Sequence, residues 1–231
     1  MRLGPFEIKK RGVEPDLNVG KDYVQQQIAE KLSDISGDTL AGENISESSA
    51  MKFSAFWACV RLLSELPASL QKQVIRVGKD GSLIEDKSHY LYKLIEQPNS
   101  LMDSFTCDEV MNQSLQIHGN AVAPIFYDNK GYPVEKIPVP WKCVDIRMSN
   151  RKLYYIINDP VMDIRGTFPA SDVLHYKILS PDGLIGRSVL QHARENIGLG
   201  KAAERFGSQY FQKGGIISGV IESTGEFQSD G

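Results

Sequence analysis

The chain has 231 residues, of which 41% are hydrophobic and 24% are charged. This composition is typical of a folded protein and excludes wholesale disorder, and the length allows one large domain or two small ones. The formal net charge is −3. A domain that binds nucleic acid tightly usually carries a basic excess, so we do not expect high-affinity DNA binding over the whole surface.

The cysteines and the N-terminus bear on the compartment. Cys59, Cys107 and Cys143 are odd in number, widely spaced and without a CxxC pair, which favours a reducing compartment. The first residues have no apolar core of the kind a signal peptide needs. The most apolar stretch, residues 53–70, is interrupted by Arg61 and Glu65, so no membrane span is predicted.

Residues 1–48 are predicted to form a flexible N-terminal arm. A short helix fits residues 19–32, but the following stretch is rich in Ser, Gly, Asp and Glu. We expect the ordered domain to start near Ser49.

The first strong helical pattern follows. Apolar residues recur at spacings of three and four, which places them on one helical face that we expect to be buried: Phe53, Phe56, Trp57, Val60, Leu63 and Leu66. Ser48 or Ser49 is the expected N-cap, and Pro67 the expected end. If Trp57 is a core residue, its replacement by Ala should cost about 3–5 kcal/mol.

Hairpins and helices then alternate. Residues 71–85 alternate apolar and polar around a Lys79–Asp80–Gly81 turn, which predicts a β-hairpin. Helices are expected at 89–96 and 104–118, the second with a core face and Gly119 closing it. That face contains Phe105, Val110, Met111, Leu115 and Ile117. Strands are predicted at 121–127, 134–138, 144–147, 153–157 and 168–178, so the fold class is α+β with antiparallel hairpins.

One long helical pattern occupies residues 187–213. Its apolar positions are Leu190, Ala193, Ile197, Ala202, Phe206 and Tyr210, and we expect the aromatic ones to pack internally. A continuous helix would span roughly 40 Å. Gly198, Gly200 and Gly207 each weaken it by about 1 kcal/mol relative to Ala, or let a neighbouring backbone approach closely. A last strand is predicted at 216–222.

No catalytic, cofactor-binding or metal-binding residue is predicted. His192 and Glu195 lie one helical turn apart, but no further ligands accompany them. The glycines at 183–186 and 198–200 do not complete the phosphate-loop pattern GxxxxGK[ST], and no GxSxG motif occurs. Asp182 is expected to stabilise the glycine turn.

The basic residues of the long helix leave two interpretations open. Arg187, Arg194, Lys201, Arg205 and Lys213 alternate with Glu195 and Glu204. Such a pattern favours a solvated face with local ion pairs. The alternative is weak, transient contact with phosphates, for which Lys201, Arg205 and Lys213 are the candidates.

Four segments together resemble the portal proteins of long-tailed bacteriophages. They are the helix SAFWACVRLLSELPASL, the Pro98–Asn99 element after HYLYKLIEQ, the strand start GNAVA at 119–123, and the region from DVLH at 172–175 through GLIGRS at 183–188 to AAERFGSQYFQKGGIISGVI. No single segment is specific to the family, but the order and spacing of the four segments over residues 49–222 are specific to it. Val189 departs from the proline common there in the family.

The resemblance implies an architecture and a role. Residues 49–185 would form the portal wing domain, 186–214 a stem-type helix, and 215–231 the start of the clip with its first strand, beyond which the family's chains continue. The subunits would form a dodecameric ring at the capsid portal vertex, through which double-stranded DNA passes without sequence specificity. The implied partners are the terminase large subunit, the major capsid and scaffold proteins and the head–tail connector. No cofactor and no membrane are implied, and the chain would be made in the host bacterial cytoplasm and end in the virion.

Two other classes of function stay open at the level of sequence. A magnesium-dependent nuclease would need clustered carboxylates, and no convincing cluster is visible. An interaction module could instead use residues 1–48, folding on contact with a partner.

Overall fold

The computed structural model describes residues 37–215. A helical half and a sheet half lie side by side, and a long helix leaves the helical half at its end. The helices are α1 (Glu47–Ala50), α2 (Ser54–Ala68), α3 (Tyr90–Glu96), α4 (Ser104–His118) and α5 (Val189–Gln212). The mixture of helices and antiparallel sheets confirms the predicted α+β class.

The strands form two small hairpins and two three-stranded sheets, all antiparallel. The hairpins pair β1 (Gly37–Asp38) with β2 (Asn44–Ile45), and β3 (Ile75–Val77) with β4 (Leu83–Glu85). One sheet has the order β10-β5-β6, from β5 (Asn120–Tyr127), β6 (Pro133–Lys136) and β10 (Val173–Lys177). The other has the order β7-β8-β9, from β7 (Val144–Ser149), β8 (Lys152–Asp159) and β9 (Ile164–Pro169).

The sheet half has the larger core. Alternate residues of β7 and β8 point inward, as half-buried strands require, and they meet side chains from β5 and from the turn at Trp141–Cys143. The buried set is Val122, Val139, Trp141, Val144, Ile146, Tyr155, Ile157, Ile164, Val173 and Ile185. The stretch 168–178 contains strand β10 with His175, as predicted. Residues Ala170–Asp172 form a 3-10 turn that divides β9 from β10, which lets the two strands join different sheets.

The helical half has its own core, and it includes residues from before position 48. Ile45 is fully buried and packs with Ala50, Phe56, Val60, Ile117, Leu190 and Ile197. Ser46, not Ser48 or Ser49, is the N-cap of α1, in a capping box with Ser49. Residues 37–48 therefore pack on the domain, in contrast to the expected arm. Residues 1–36, with the helix expected at 19–32, lie outside the described residues.

Helix α2 buries a narrower face than predicted. Phe56 and Val60 are buried against α4, but Trp57 is 45% exposed, Leu63 49% and Leu66 57%. The prediction that these three residues belong to the core is wrong. The helix also begins later and ends later than expected, since Phe53 is its N-cap and Pro67 lies inside its last turn.

Helix α4 follows the prediction closely. Met111 and Ile117 are buried, although Phe105 is 41% exposed and so lies off the core. Asp103 caps the helix by accepting a hydrogen bond from the Thr106 backbone N–H at 2.8 Å. Gly119 ends the helix with φ of 73°, the left-handed conformation that glycine adopts without cost.

Helix α5 has two different halves. Leu190, Ile197 and Gly198 are buried, whereas from Ala203 to Gln212 every residue but Gly207 is exposed. Phe206 is 73% exposed and Tyr210 47%, so the expectation that these aromatics pack internally is wrong for the part of the chain that the structure describes. The predicted strand at 216–222 lies outside the described residues.

Candidate functional site: the helix junction and the exposed helix faces

Two glycines let the end of α4 and the start of α5 approach each other. The Gly119 carbonyl accepts from the Ile178 N–H at 2.9 Å, and the Ile178 carbonyl accepts from the Arg187 N–H at 3.0 Å. A Cβ on Gly119 would collide with the carbonyl of Arg187, and a Cβ on Gly186 with the carbonyl of Gly119. The glycines of the two sequence motifs therefore form a single backbone junction.

Asn120 fastens this junction with its side-chain amide. Its Nδ2 donates to the His118 carbonyl at 2.9 Å and to the Gly186 carbonyl at 3.0 Å. Its Oδ1 accepts from the Gly186 N–H at 2.7 Å and lies 3.1 Å from His175 Nε2. Asn120 is 1% exposed, so each of these bonds satisfies a polar group that water does not reach.

His175 connects the junction to the sheet core. The amide oxygen of Asn120 can only accept, so His175 Nε2 carries the proton and Nδ1 accepts from the Tyr155 hydroxyl at 2.9 Å. Burial, with a smaller contribution from Lys177, lowers the pKa of His175 to about 3. Burial also raises the pKa of Tyr155 to about 12. Both groups are thus neutral over a wide pH range, and Trp141 stacks on the imidazole at 5.8 Å between ring centroids.

Ser188 starts α5 and ties it to α4. Its Oγ donates to the Ile117 carbonyl at 2.7 Å and accepts from the Gln191 N–H at 3.2 Å, so one hydroxyl caps the helix and joins it to its neighbour. Asp182 stabilises the preceding turn, as predicted, by accepting from the backbone N–H groups of Leu184 and Ile185. Hydrogen bonds to α4 and within the preceding turn therefore fix the direction of α5.

Glycines in the buried half of α5 complete the attachment. A Cβ on Gly198 would meet the Thr39 side chain, and a Cβ on Gly200 would meet the Phe53 ring. The close approach at these glycines is made by side chains, whereas the sequence analysis expected a neighbouring backbone. Gly207 has open space around it, so a Cβ at this position would meet no neighbouring atom within the described residues.

The three candidate DNA contacts have different surroundings. Arg205 pairs with Glu43 at 2.8 Å, although its side chain is 57% exposed. Lys201 is partly buried and donates to the Ser49 carbonyl at 3.4 Å. Lys213 is exposed and directly follows α5. The structure thus places the first two against the domain and the third at the projecting end.

Two stripes of exposed apolar side chains accompany the projecting helix. On α2 the exposed large apolar residues are Trp57, Leu62, Leu63 and Leu66, with Leu70 just past the helix end. On α5 they are Leu199, Phe206, Tyr210 and Phe211. Exposed apolar surface in contiguous stripes is typical of protein–protein contact surfaces.

Among residues 37–215 no group of three or more His, Cys, Asp or Glu side chains could hold a metal ion. In the same range no helix is both long and apolar enough to cross a membrane. His192 is exposed, and Glu195 accepts a hydrogen bond from the Leu40 N–H at 3.0 Å. His118 lies 3.6 Å from Glu47, and burial lowers the pKa of this histidine.

Sequence reasoning did not identify the Asn120–His175–Tyr155 network. These residues stand far apart in the chain, and each belongs to an ordinary strand pattern. The antiparallel pairing of β10 with β5 brings His175 beside Val122, two residues from Asn120, and only this pairing reveals the contact. A polar residue next to Gly119 in an otherwise apolar strand was the available signal.

Solved structures share this fold. A crystal structure of an HK97 family phage portal protein from Corynebacterium diphtheriae is similar over 76% of this chain and 52% of that chain, with TM-score 0.54 and 15% identity. The neck of an empty gene transfer agent (GTA) particle, computed with C6 symmetry, is similar over 85% of this chain and 54% of that chain, with TM-score 0.58 and 14% identity. The junction, the two sheets and the projecting helix thus define a portal-type α+β fold.

The phage portal protein family model matches residues 54–230, and the chain belongs to this family. The chain is 30% identical over 202 residues to the probable portal protein of Streptomyces phage phiC31, covering 83% of this chain and 43% of that protein. It is 27% identical over 189 residues to the portal protein of Enterobacteria phage HK97, covering 81% and 44%. The chain spans less than half the length of these relatives.

Proposed function

We propose that this chain is a structural subunit of a phage portal ring, the assembly through which DNA is packaged and ejected at one vertex of the capsid. The observation that carries the proposal is the match to the portal family over most of the described domain. The neck of a native GTA particle, computed with C12 symmetry, is similar over 85% of this chain with TM-score 0.54. A dodecameric ring is therefore the arrangement that we infer for this chain.

The proposed roles of the three segments of the chain follow from the fold. Residues 49–185 act as the wing, 186–214 as the stem-type helix, and 215–231 begin the clip. The fixed junction at Gly119 and Gly186 supports this division, because it gives the stem-type helix one direction relative to the wing. In a ring, a common direction makes all subunits place this helix equivalently around one axis.

The proposed contact with DNA is weak and without sequence specificity. Lys201, Arg205 and Lys213 are the candidate contacts, and of these Arg205 and Lys213 are exposed. Each phosphate that a protein neutralises adds salt-sensitive affinity. A chain of net charge −3 with sparse basic residues is compatible with DNA sliding past it. The partners that we infer are the terminase large subunit, the major capsid and scaffold proteins and the head–tail connector, and the ring itself has no enzymatic activity.

Genetic replacement tests this function. The gene that encodes this chain is deleted from its phage or prophage, and the resulting particles are assayed for packaged DNA and for tails. We expect particles without DNA, with recovery when the chain's complete gene is supplied in trans. DNA-filled, tailed particles in the absence of the gene would overturn the proposal.

A further inference from the structure

A cavity of about 350 Å³ lies between α4 and the turn that joins β8 to β9. Its walls are largely apolar and include Met111 and Ile117 from α4, Trp141, and Met162 from the turn. Ligand sites in proteins are typically clefts of this kind, in which apolar walls surround a few polar groups. The polar groups of this cavity therefore show which class of ligand it suits.

Asp159 is the most buried of these polar groups. It lines the cavity and is 1% exposed. Its Oδ1 accepts from the backbone N–H groups of Val161 at 2.9 Å and Met162 at 3.4 Å, which holds the turn together. Its Oδ2 has no hydrogen-bond partner within residues 37–215. Because an unsatisfied buried acceptor is destabilising, this oxygen favours a ligand that brings a donor.

His118 provides a second unpartnered acceptor in the cavity. Its Nε2 lies 3.6 Å from Glu47 Oε2. A carboxylate only accepts, so Nε2 carries the proton and Nδ1 is an acceptor. Burial lowers the pKa of His118, against the opposite effect of Glu47, which favours this neutral form. Nδ1 is buried and has no hydrogen-bond partner among the described residues.

Charge narrows the class of ligand further. Glu47 and Asp159 line the cavity, and the exposed Lys142 is the one Lys or Arg side chain among the described residues that line it. Two unpartnered acceptors and an excess of acidic groups match a cation with several N–H donors, which is an ammonium or a guanidinium. The cavity thus suits a Lys or Arg side chain that is accompanied by apolar groups.

The path of the chain brings one basic segment to this place. Gly37, at the start of the described residues, pairs with Ile45, and Glu47 at the cavity follows two residues later. The residues before Gly37 therefore enter the domain beside the cavity. Residues 216–231 instead follow the far end of α5 and contain neither Lys nor Arg.

Residues 6–11 combine the two properties that the cavity requires. Phe6 and Ile8 are apolar, and Lys9, Lys10 and Arg11 follow directly. We infer that this basic segment binds in the cavity of its own chain, with a cationic side chain donating to Asp159 and His118.

The tether to the domain favours this contact. About 25 residues join the basic segment to Gly37, a length that reaches the cavity easily at roughly 3.3 Å per residue. Binding within one chain also benefits from a high effective concentration. The inference goes beyond the proposed portal function and does not rest on it, because the cavity and the segment belong to one copy.

Disulfide trapping in the full chain tests the contact. Glu7→Cys places a thiol inside the basic segment, and Val161→Cys places one at the cavity, at a position that is 83% exposed. The control pairs Glu7→Cys with Leu179→Cys, which is 71% exposed and away from the cavity. Both pairs are made with Cys59→Ser and Cys143→Ser, oxidised at low protein concentration, and analysed on non-reducing gels and by mass spectrometry.

We expect the 7–161 disulfide to form within one chain about tenfold faster than the 7–179 disulfide, because binding raises the local concentration of the two thiols. Lys9→Glu with Lys10→Glu should remove this difference. Lys21→Glu with Lys31→Glu makes the same change in net charge outside the basic segment and should preserve it. Equal rates for the two cysteine pairs, a 7–161 link only between separate copies, or a preference that survives Lys9→Glu with Lys10→Glu would each overturn the inference.

A variant of the cavity provides the complementary test. Asp159→Asn keeps the oxygen that holds the turn but replaces the unpartnered oxygen by a donor, so it should also remove the preference for residue 161. Asp163→Asn changes a side chain in the same turn that is 91% exposed, and the preference should persist in this variant. Circular dichroism checks that both variants are folded. A preference that is the same in a folded Asp159→Asn variant as in the unchanged cavity would contradict the proposed role of Asp159.

Discussion

A neutral histidine lies at the centre of the junction from which the long helix starts. Its Nε2–H is oriented toward Asn120, and its Nδ1 accepts from Tyr155. Protonation would place a charge in a buried site and close to the positive charge of Lys177. These two costs explain why the folded protein holds the pKa of His175 at about 3.

This shift makes stability depend on pH. Free histidine has a pKa of about 6.5, so the unfolded chain takes up the proton first as pH falls. The stability that neutral His175 contributes is complete above about pH 6.5 and is lost as pH falls from there toward about 3, at no more than about 1.4 kcal/mol per pH unit. Denaturant unfolding across this window should show a flatter slope for His175→Gln than for the wild type. The exposed His192→Gln is the control, and an unchanged slope in His175→Gln would contradict the assignment.

The neighbouring residues Phe56 and Trp57 should respond differently to truncation. Phe56 is 9% exposed, and its replacement by Ala should cost about 3–5 kcal/mol. Trp57 is 45% exposed, so the expected cost of Trp57→Ala is about 1 kcal/mol, below the value that a buried tryptophan would give. Urea unfolding of the monomer measures both, and equal losses would show that the exposed face of α2 is covered.

At the scale of elements, the period of the apolar residues identifies a helix more reliably than it identifies what covers the helix. The patterns of α2, α4 and α5 were predictable because apolar residues recur every three or four positions. Trp57, Leu66 and Phe206 were wrongly assigned to the core, because the spacing of apolar residues on a helix does not show which of them the fold buries. The junction network was not predictable, since it depends on strand pairing between residues more than fifty positions apart.

Alanine substitutions at two glycines of α5 distinguish the cost of glycine to the helix backbone from its effect on packing. Gly207→Ala should stabilise the protein by about 1 kcal/mol, because Ala favours helix and open space surrounds the site. Gly198→Ala should destabilise it, because the new methyl group meets the Thr39 side chain and pushes the β1–β2 hairpin away. Thermal unfolding of the two variants provides the comparison. A stabilising Gly198→Ala would mean that the hairpin does not depend on this contact.

A stricter test concerns the junction itself. Gly186→Ala should cost more than about 2 kcal/mol, because the methyl group would collide with the Gly119 carbonyl and break the Asn120 contacts. Gly131→Ala, in an open turn with φ of 85°, carries the strain of positive φ alone and should cost about 1 kcal/mol. Similar losses from both variants in chemical denaturation would refute the close approach at the junction.

At the scale of the whole molecule, the domain is organised around one projecting helix. Three hydrophobic clusters stabilise the domain, the junction fixes where α5 begins, and the outer half of α5 lies beyond these clusters. A helix with exposed aromatics has little reason to project from an isolated domain, but it is a suitable element where several copies surround an axis. Family membership and the exposed apolar residues of α5 therefore point to the same oligomeric function.

Electron cryomicroscopy of particles from a phage that encodes this chain tests the central claim most directly. The account predicts a closed ring of this chain at a single vertex of each particle, with α5 beside the central channel. Particles in which the chain is absent, or in which it occupies every vertex equally, would contradict it.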